Sequence, residues 1–256
     1  MQTDMTVGKP MKMLLNFTIP VFLGNVFQQL YSMADAVIVG KFVGTKGLAA
    51  VGATGTITFL IIGFLMGVTT GVTVLTSQKF GAGRMDEMRK TVGNAAILSA
   101  VIAVVMTAVS MLGMHRLLVF MHTPEDIFDG AYGYIMIICA GIFTQVLYNL
   151  VSSILRALGN SKTPLYFLIL AAGLNIVLDL VFIIFFHWGA PGAAWATVIS
   201  QGVSGVLCLI YMWKAVPELK MKKEDWYFNR DIAVKQISVG IPMGLQYSIT
   251  AIGGMM

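Results

Sequence analysis

Six stretches of more than twenty residues each, nearly free of charge, constrain this chain more than any other feature. They run over 13–40, 47–77, 92–114, 127–155, 164–186 and 192–213, separated by short polar turns. A bilayer core about 30 Å thick is crossed by ~20 predominantly apolar residues in a helix. Within lipid, each backbone polar group must find its partner inside its own segment, so apolar runs of this length read as helices. The predicted fold is all-α: a polytopic six-helix transmembrane bundle. A seventh apolar run starts near residue 237 and stops at 256, which reads as a truncated helix. Only 214–236 is both long and charged, and it reads as a partly amphipathic linker. The expected organisation is therefore a six-helix lobe over 1–213, a cytoplasmic linker over 214–236, and the start of a seventh transmembrane helix over 237–256.

Composition agrees with this reading. Hydrophobic residues make up 57 % of the 256, and charged residues 11 %, against roughly 25 % charged in soluble domains. That excludes a water-soluble globule, a disordered chain and a nucleic-acid binder. The net charge of +5 reflects topology. Fourteen basic residues fall in the N-terminal segment, the second–third and fourth–fifth turns and the linker, and only Lys41, Lys46 and Arg116 lie on the other side. By the positive-inside rule the N-terminus and linker are cytoplasmic, in a multi-pass protein of the cell inner (plasma) membrane. The polar opening over 1–10 carries no cleaved signal peptide pattern. Cys139 and Cys208 lie inside apolar runs and offer neither a disulfide framework nor a zinc spacing.

Thr18-Ile19-Pro20 is echoed 222 residues later by Gly240-Ile241-Pro242, each near the start of an apolar run that follows a basic segment. Read as a repeat, this spacing implies a complete protein of about twelve spans in two similar halves. Gly63, Gly67 and Gly71 recur every fourth residue and form a helix-packing stripe. Gly81-Ala82-Gly83 follows a helix rather than a strand, so it reads as a turn and not a phosphate loop.

Chemistry concentrates on two acids. Asp35 and Asp179 are the only carboxylates in the body of a span rather than at its mouth, as Asp129 is, and no Lys or Arg lies in a span core to pair with them. A charge at the centre of a membrane helix costs about 2.5–3.5 kcal/mol or more, so such groups mark ion or proton sites. At 1.5 Å per residue from Lys12 and Lys162, Asp35 lies about 34 Å and Asp179 about 25 Å outward. Both then sit in the outer half of the membrane and meet if the first and fifth spans are neighbours. Asn175 lies one turn below Asp179 on the same face, and Thr197 is at similar depth in the sixth span. Two carboxylates, an amide oxygen and a hydroxyl suit Na⁺; the same cluster also suits a proton. Gln28 and Tyr31 share the Asp35 face and are candidates for lining a substrate cavity. Pro20, which removes a backbone donor, is the candidate gating kink.

At this point the sequence resembles the multidrug and toxic compound extrusion (MATE) transporters. Pro20 and then Ala34-Asp35-Ala36-Val37-Ile38-Val39-Gly40 resemble the family's opening signature. Gln78-Lys79-Phe80-Gly81-Ala82-Gly83 and the run from Arg156 to Pro164 are similar to its cytoplasmic turns. Leu174-Asn175-Ile176-Val177-Leu178-Asp179 and Gly192-Ala193-Ala194-Trp195-Ala196-Thr197 resemble its fifth and sixth helices. The resemblance implies two six-helix lobes, with this chain as the N-terminal lobe and the C-terminal lobe missing from it. It further implies antiport of H⁺ or Na⁺ against small, drug-like, amphipathic and often cationic compounds. An N-lobe ion site would lie at Asp35, Asn175, Asp179 and Thr197. No cofactor beyond the coupling ion, no enzymatic activity and no nucleic-acid partner is expected; membrane lipid surrounds the lobe. Two alternatives are a lipid-linked-sugar flippase, which would want basic residues in its cavity, and an intramembrane aspartyl protease, whose Gly-x-Gly-Asp motif is absent around Asp179.

Overall fold

The structure, a computed structural model, describes residues 10–253. The N-terminal segment before Pro10 and the end of the seventh run at 256, both subjects of expectations above, lie outside the described residues. The chain forms α1 (Pro10–Phe42), α2 (Thr45–Gly81), α3 (Met85–Phe120), α4 (Glu125–Ala140), α5 (Ile142–Ala157), α6 (Lys162–Leu180), α7 (Gly189–Ala215) and α8 (Arg230–Gly253). Among the described residues there is no strand. α1, α2, α3, α6 and α7 are each long and apolar enough to cross a membrane, and the bent pair α4 and α5 passes the same test when the two are taken together. The all-α bundle expected from the apolar runs is what forms.

Three departures have local causes. The fourth span is not straight: α4 and α5 meet at Gly141 with a bend of 46°. The Gly141 Cα faces the Val198 side chain on α7, so the glycine admits a neighbouring helix at the elbow. The fifth span does not stay α-helical to its end, because Val181–Phe185 forms a π turn directly after α6. The seventh helix starts at Arg230, inside the segment expected as linker. Hydropathy alone misses that start, since Arg230, Asp231, Lys235 and Gln236 occupy the first turns.

The turns carry their geometry in sequence. Gly83, at φ 73°, ends α2, with Arg84 N–H donating to the Lys79 carbonyl at 3.0 Å. Gly159, at φ 80°, ends α5, with Asn160 N–H donating to the Leu155 carbonyl at 2.9 Å. Both are helix stops that need a left-handed residue and satisfy carbonyls that would otherwise be left open. The Asn160 side chain then accepts from Thr163 N–H at 3.1 Å and starts α6. The Gly81–Gly83 segment is thus a turn, as its helical context implies.

α2 is the hub, packed against α8, α5, α3 and α4, while α1 lies along α6 at the periphery. The glycine stripe explains how α8 reaches the hub. A Cβ at Gly67 would fall 2.5 Å from the Gly244 Cα, and one at Gly71 would fall 2.5 Å from the Gly240 Cα. Bare backbones therefore touch, at a distance that no side chain permits. The segment 214–236 is also fastened rather than loose. Asp225 is buried, accepts from Lys222 N–H at 2.8 Å and lies 3.4 Å from Arg89 Nε. Asn94 accepts from Asn229 N–H at 2.9 Å, and the fully buried Gln236 donates to the carbonyls of Val72 and Thr91. The expected amphipathic linker is a strap of two short 3₁₀ turns, Pro217–Leu219 and Lys223–Trp226, lying on α3.

Gly67→Ala and Gly71→Ala should each destabilise the protein by about 1–3 kcal/mol through overpacking. Gly52→Ala, whose Cβ meets nothing within 4 Å, should leave stability unchanged; fluorescence melts in detergent compare the three. Asp225→Ala should unfasten the strap and speed tryptic cleavage at Lys222 and Lys223 several-fold. Cleavage after Arg84 serves as the internal reference, and equal acceleration at both places would show general unfolding instead.

Candidate functional site

Because α1 runs along α6, Asp35 and Asp179 come together at the end of the bundle opposite the basic turns. Asp179 is fully buried and Asp35 is 9 % exposed. The two carboxyl groups lie within hydrogen-bond reach of each other. The Asn175 amide, in the orientation that satisfies both of its neighbours, donates to Asp179 Oδ2 at 3.0 Å and accepts from Thr197 N–H at 3.2 Å. Thr197 Oγ1 in turn shares a 3.1 Å hydrogen bond with the Tyr31 hydroxyl. Five side chains or backbone groups from α1, α6 and α7 thus form one connected cluster.

One oxygen of each acid, Oδ1, is buried with no hydrogen-bond donor among the described residues. No Lys or Arg among the described residues forms an ion pair with either acid. Two carboxylates this close cannot both remain bare in an apolar interior, because neither their repulsion nor their lost hydration is compensated. A proton or a small cation between them resolves both problems. The donor set fits a hard cation: two orphaned carboxylate oxygens, flanked by the hydroxyls of Thr197 and Tyr31. The described residues contain no group of three His, Cys, Asp or Glu able to hold a transition metal.

The cluster opens onto a cleft of about 450 Å³. Asp35, Tyr31 and Gln28 line it, as their shared helix face predicts, together with Asn25, Phe59 and Met66. The cleft is mostly apolar with a few polar groups, which is the usual make-up of a small-molecule site. Pro20 stands elsewhere. It is buried within an unbroken α1 and borders a smaller cavity nearer the basic end, along with Asn149 and Arg156. That places a basic side chain against an internal cavity, where the sequence reading had none. Hydropathy counts Arg156 as a turn residue because it cannot see its side chain folding back between helices.

Sequence reasoning missed three further features. Gln201 lines the cleft and is 6 % exposed, with its Oε1 unpartnered. Its position four residues after Thr197 was an available signal. Tyr134 also lines the cleft, but comes from α4 with no spacing to announce it. The π turn directly after Asp179 widens the helix beside the acid, a distortion often found at functional sites.

A polytopic helical lobe with a buried acid pair at the head of a cleft has the architecture of a membrane transporter. Comparison with known proteins makes this particular. The MatE family model matches residues 20–181, more than half of the chain, and the chain belongs to that family. A probable multidrug resistance protein of Bacillus subtilis strain 168, YpnP, is 33 % identical over 255 residues, covering 99 % of this chain and 56 % of the relative. Two solved structures superpose at TM-score 0.90 over 97 % of this chain and 55 % of theirs. One is an outward-facing multidrug resistance MATE family transporter at 28 % identity, and the other a MOP superfamily transporter from Pyrococcus furiosus at 27 %. The chain spans about half the length of the relatives it matches. It is a protein of a transporter family and not an enzyme, so the protease alternative falls away.

Asp179→Asn removes one of two facing charges while keeping shape, and should raise the melting temperature, because it relieves both their repulsion and a desolvation cost. Asn175→Ala should lower stability by about 1–3 kcal/mol, since it strips Asp179 Oδ2 of its donor. Thermal melts at neutral pH compare the two, and a shared sign would contradict the arrangement.

Proposed function

We propose that this chain is the N-terminal lobe of a cation-coupled multidrug efflux antiporter, working with a second lobe as the relatives' lengths suggest. The observation that carries the reading is the Asp35–Asp179 pair, with two orphaned oxygens at the head of a 450 Å³ cleft. The coupling ion is H⁺ or Na⁺, which the cluster of Asp35, Asn175, Asp179 and Thr197 is chemically suited to hold. The basic turns face the cytoplasm by charge asymmetry, so the acid pair faces outward in a plasma membrane.

The transport cycle follows from electrostatics. Loading the ion from outside offsets one of the two charges and relieves the repulsion between the acids, which allows α1 to close on α6 and expels an amphipathic compound from the cleft. A compound entering from inside favours the form in which the ion leaves. Gln28 and Tyr31 supply polar contacts in the cleft. Tyr31 also touches the ion cluster through Thr197, so cargo and ion compete through one helix face. Pro20 leaves the Asn16 carbonyl without its helical donor and makes α1 bendable there. α1 is suited to move because most of its apolar surface faces outward rather than into the bundle.

Everted vesicles bearing a full-length protein that contains this lobe should take up a fluorescent lipophilic cation when an H⁺ or Na⁺ gradient is imposed. Asp35→Asn and Asp179→Asn should each abolish gradient-driven uptake, leaving only leak. Applying the two gradients separately identifies the ion, and uptake that survives both substitutions would refute the mechanism.

A further inference from the structure

Arg156 is a half-buried charged group that the ion-coupled cycle leaves unused. The Gly159 helix stop and the Asn160 cap fold the α5–α6 turn tightly. The Arg156 side chain there borders a cavity of about 50 Å³ with Pro20, Asn25, Gln28, Asn149 and Ser161. A water needs about 10–15 Å³ on this measure, so the space admits a carboxylate or phosphate group. Among the described residues no carboxylate lies within ion-pair distance of Arg156. Its hydrogen bond to protein is a long one, 3.4 Å to Ser153 Oγ, from a group with five donors. A guanidinium stays charged when partly buried, and its fork matches carboxylates and phosphates. Its cavity neighbours are neutral, so no acid competes for it.

The smaller cavity adjoins the cleft, since Asn25, Gln28 and Met66 line both. The combined groove has opposite charges at its ends: a guanidinium beside Pro20, and the acid pair 15 residues further along α1, or about 22 Å away. We propose that Arg156 is the anion-binding end of the groove, the side chain that holds the carboxylate or phosphate of a cargo carrying one. The anionic head pairs with Arg156, and the apolar body lies along α1 toward Asp35. The inference rests on the export reading and adds to it the residue that orients such cargo. A phospholipid headgroup and a soluble alkyl phosphate present the same chemistry to this site.

The test is binding to a purified full-length protein that contains this lobe, in detergent, using a dansyl-labelled alkyl phosphate and a matched dansyl-labelled alkyltrimethylammonium ion. Arg156→Gln should weaken the phosphate probe about tenfold or more and change the cationic probe less than twofold, with Arg156→Lys in between. Gln28→Glu, which puts a carboxylate on the shared wall, should also weaken the phosphate probe selectively, and it keeps the test open if Arg156→Gln fails to fold. Competition by lysophosphatidylglycerol but not by an unlabelled short-chain alkyl phosphate would identify the anionic cargo as lipid; the reverse would identify a soluble organic anion. Cation binding without phosphate binding, or equal loss of both probes in Arg156→Gln, would overturn the assignment while leaving the export reading intact. Failure of both probes on the unaltered full-length protein would overturn both.

Discussion

Two carboxyl groups held against each other in an apolar bundle are the constraint around which the lobe is arranged. Asp179 has no contact with solvent and Asp35 almost none, so whatever stabilises them comes from neighbouring helices or from an ion. The protein supplies a minimum: the Asn175 amide on one oxygen, and the Thr197 and Tyr31 hydroxyls close by. Supplying more donors would have made a stable, inert core. Two oxygens are instead left without partners among the described residues, and a carboxyl pair in that state is suited to take up a proton or a small cation.

The rest of the bundle separates into a fixed part and a movable part on physical grounds. α2 is fixed, because its backbone touches that of α8 at Gly67 and Gly71 and because its neighbours surround it. The strap over α3 adds a second fastening through Asp225 and Asn94, and Gln236 ties the start of α8 to both α2 and α3. α1 is held differently. It leans on α6, turns most of its large apolar side chains outward and contains Pro20. Asp35 sits on the loosely held helix and Asp179 on a better packed one, so an ion between them bridges parts of unequal rigidity.

The groove between these parts is electrically asymmetric. One end carries the acid pair and the other carries Arg156, with neutral amides and apolar side chains between them. A lobe built in this way can orient a molecule by charge at both ends while its body is gripped without specific hydrogen bonds. Such an arrangement suits cargo of varied shape. The π turn after Asp179 and the elbow at Gly141 both distort helices that border this region, which a purely structural bundle would have little reason to retain.

Much of this was legible in the sequence because it follows from solvent and periodicity. The bilayer requires long apolar helices, so the six apolar runs and their rough positions can be read directly, though not the ends of the helices. The 3.6-residue period puts Gln28, Tyr31 and Asp35 on one face, and Asn175 and Asp179 on another. The cost of a charge in lipid singles out the two acids without any structure. Only the tertiary structure decided which faces meet: that α1 lies on α6, that the glycine stripe of α2 receives α8, that Tyr134 and Gln201 join the cleft, and that Arg156 turns inward. The start of α8 had a local signal in Asn229, whose side chain caps Asp231 and Ile232 N–H. The strap was hidden because it depends on contacts between residues far apart in the chain, and hydropathy is summed along a segment, so it is silent about which segments touch.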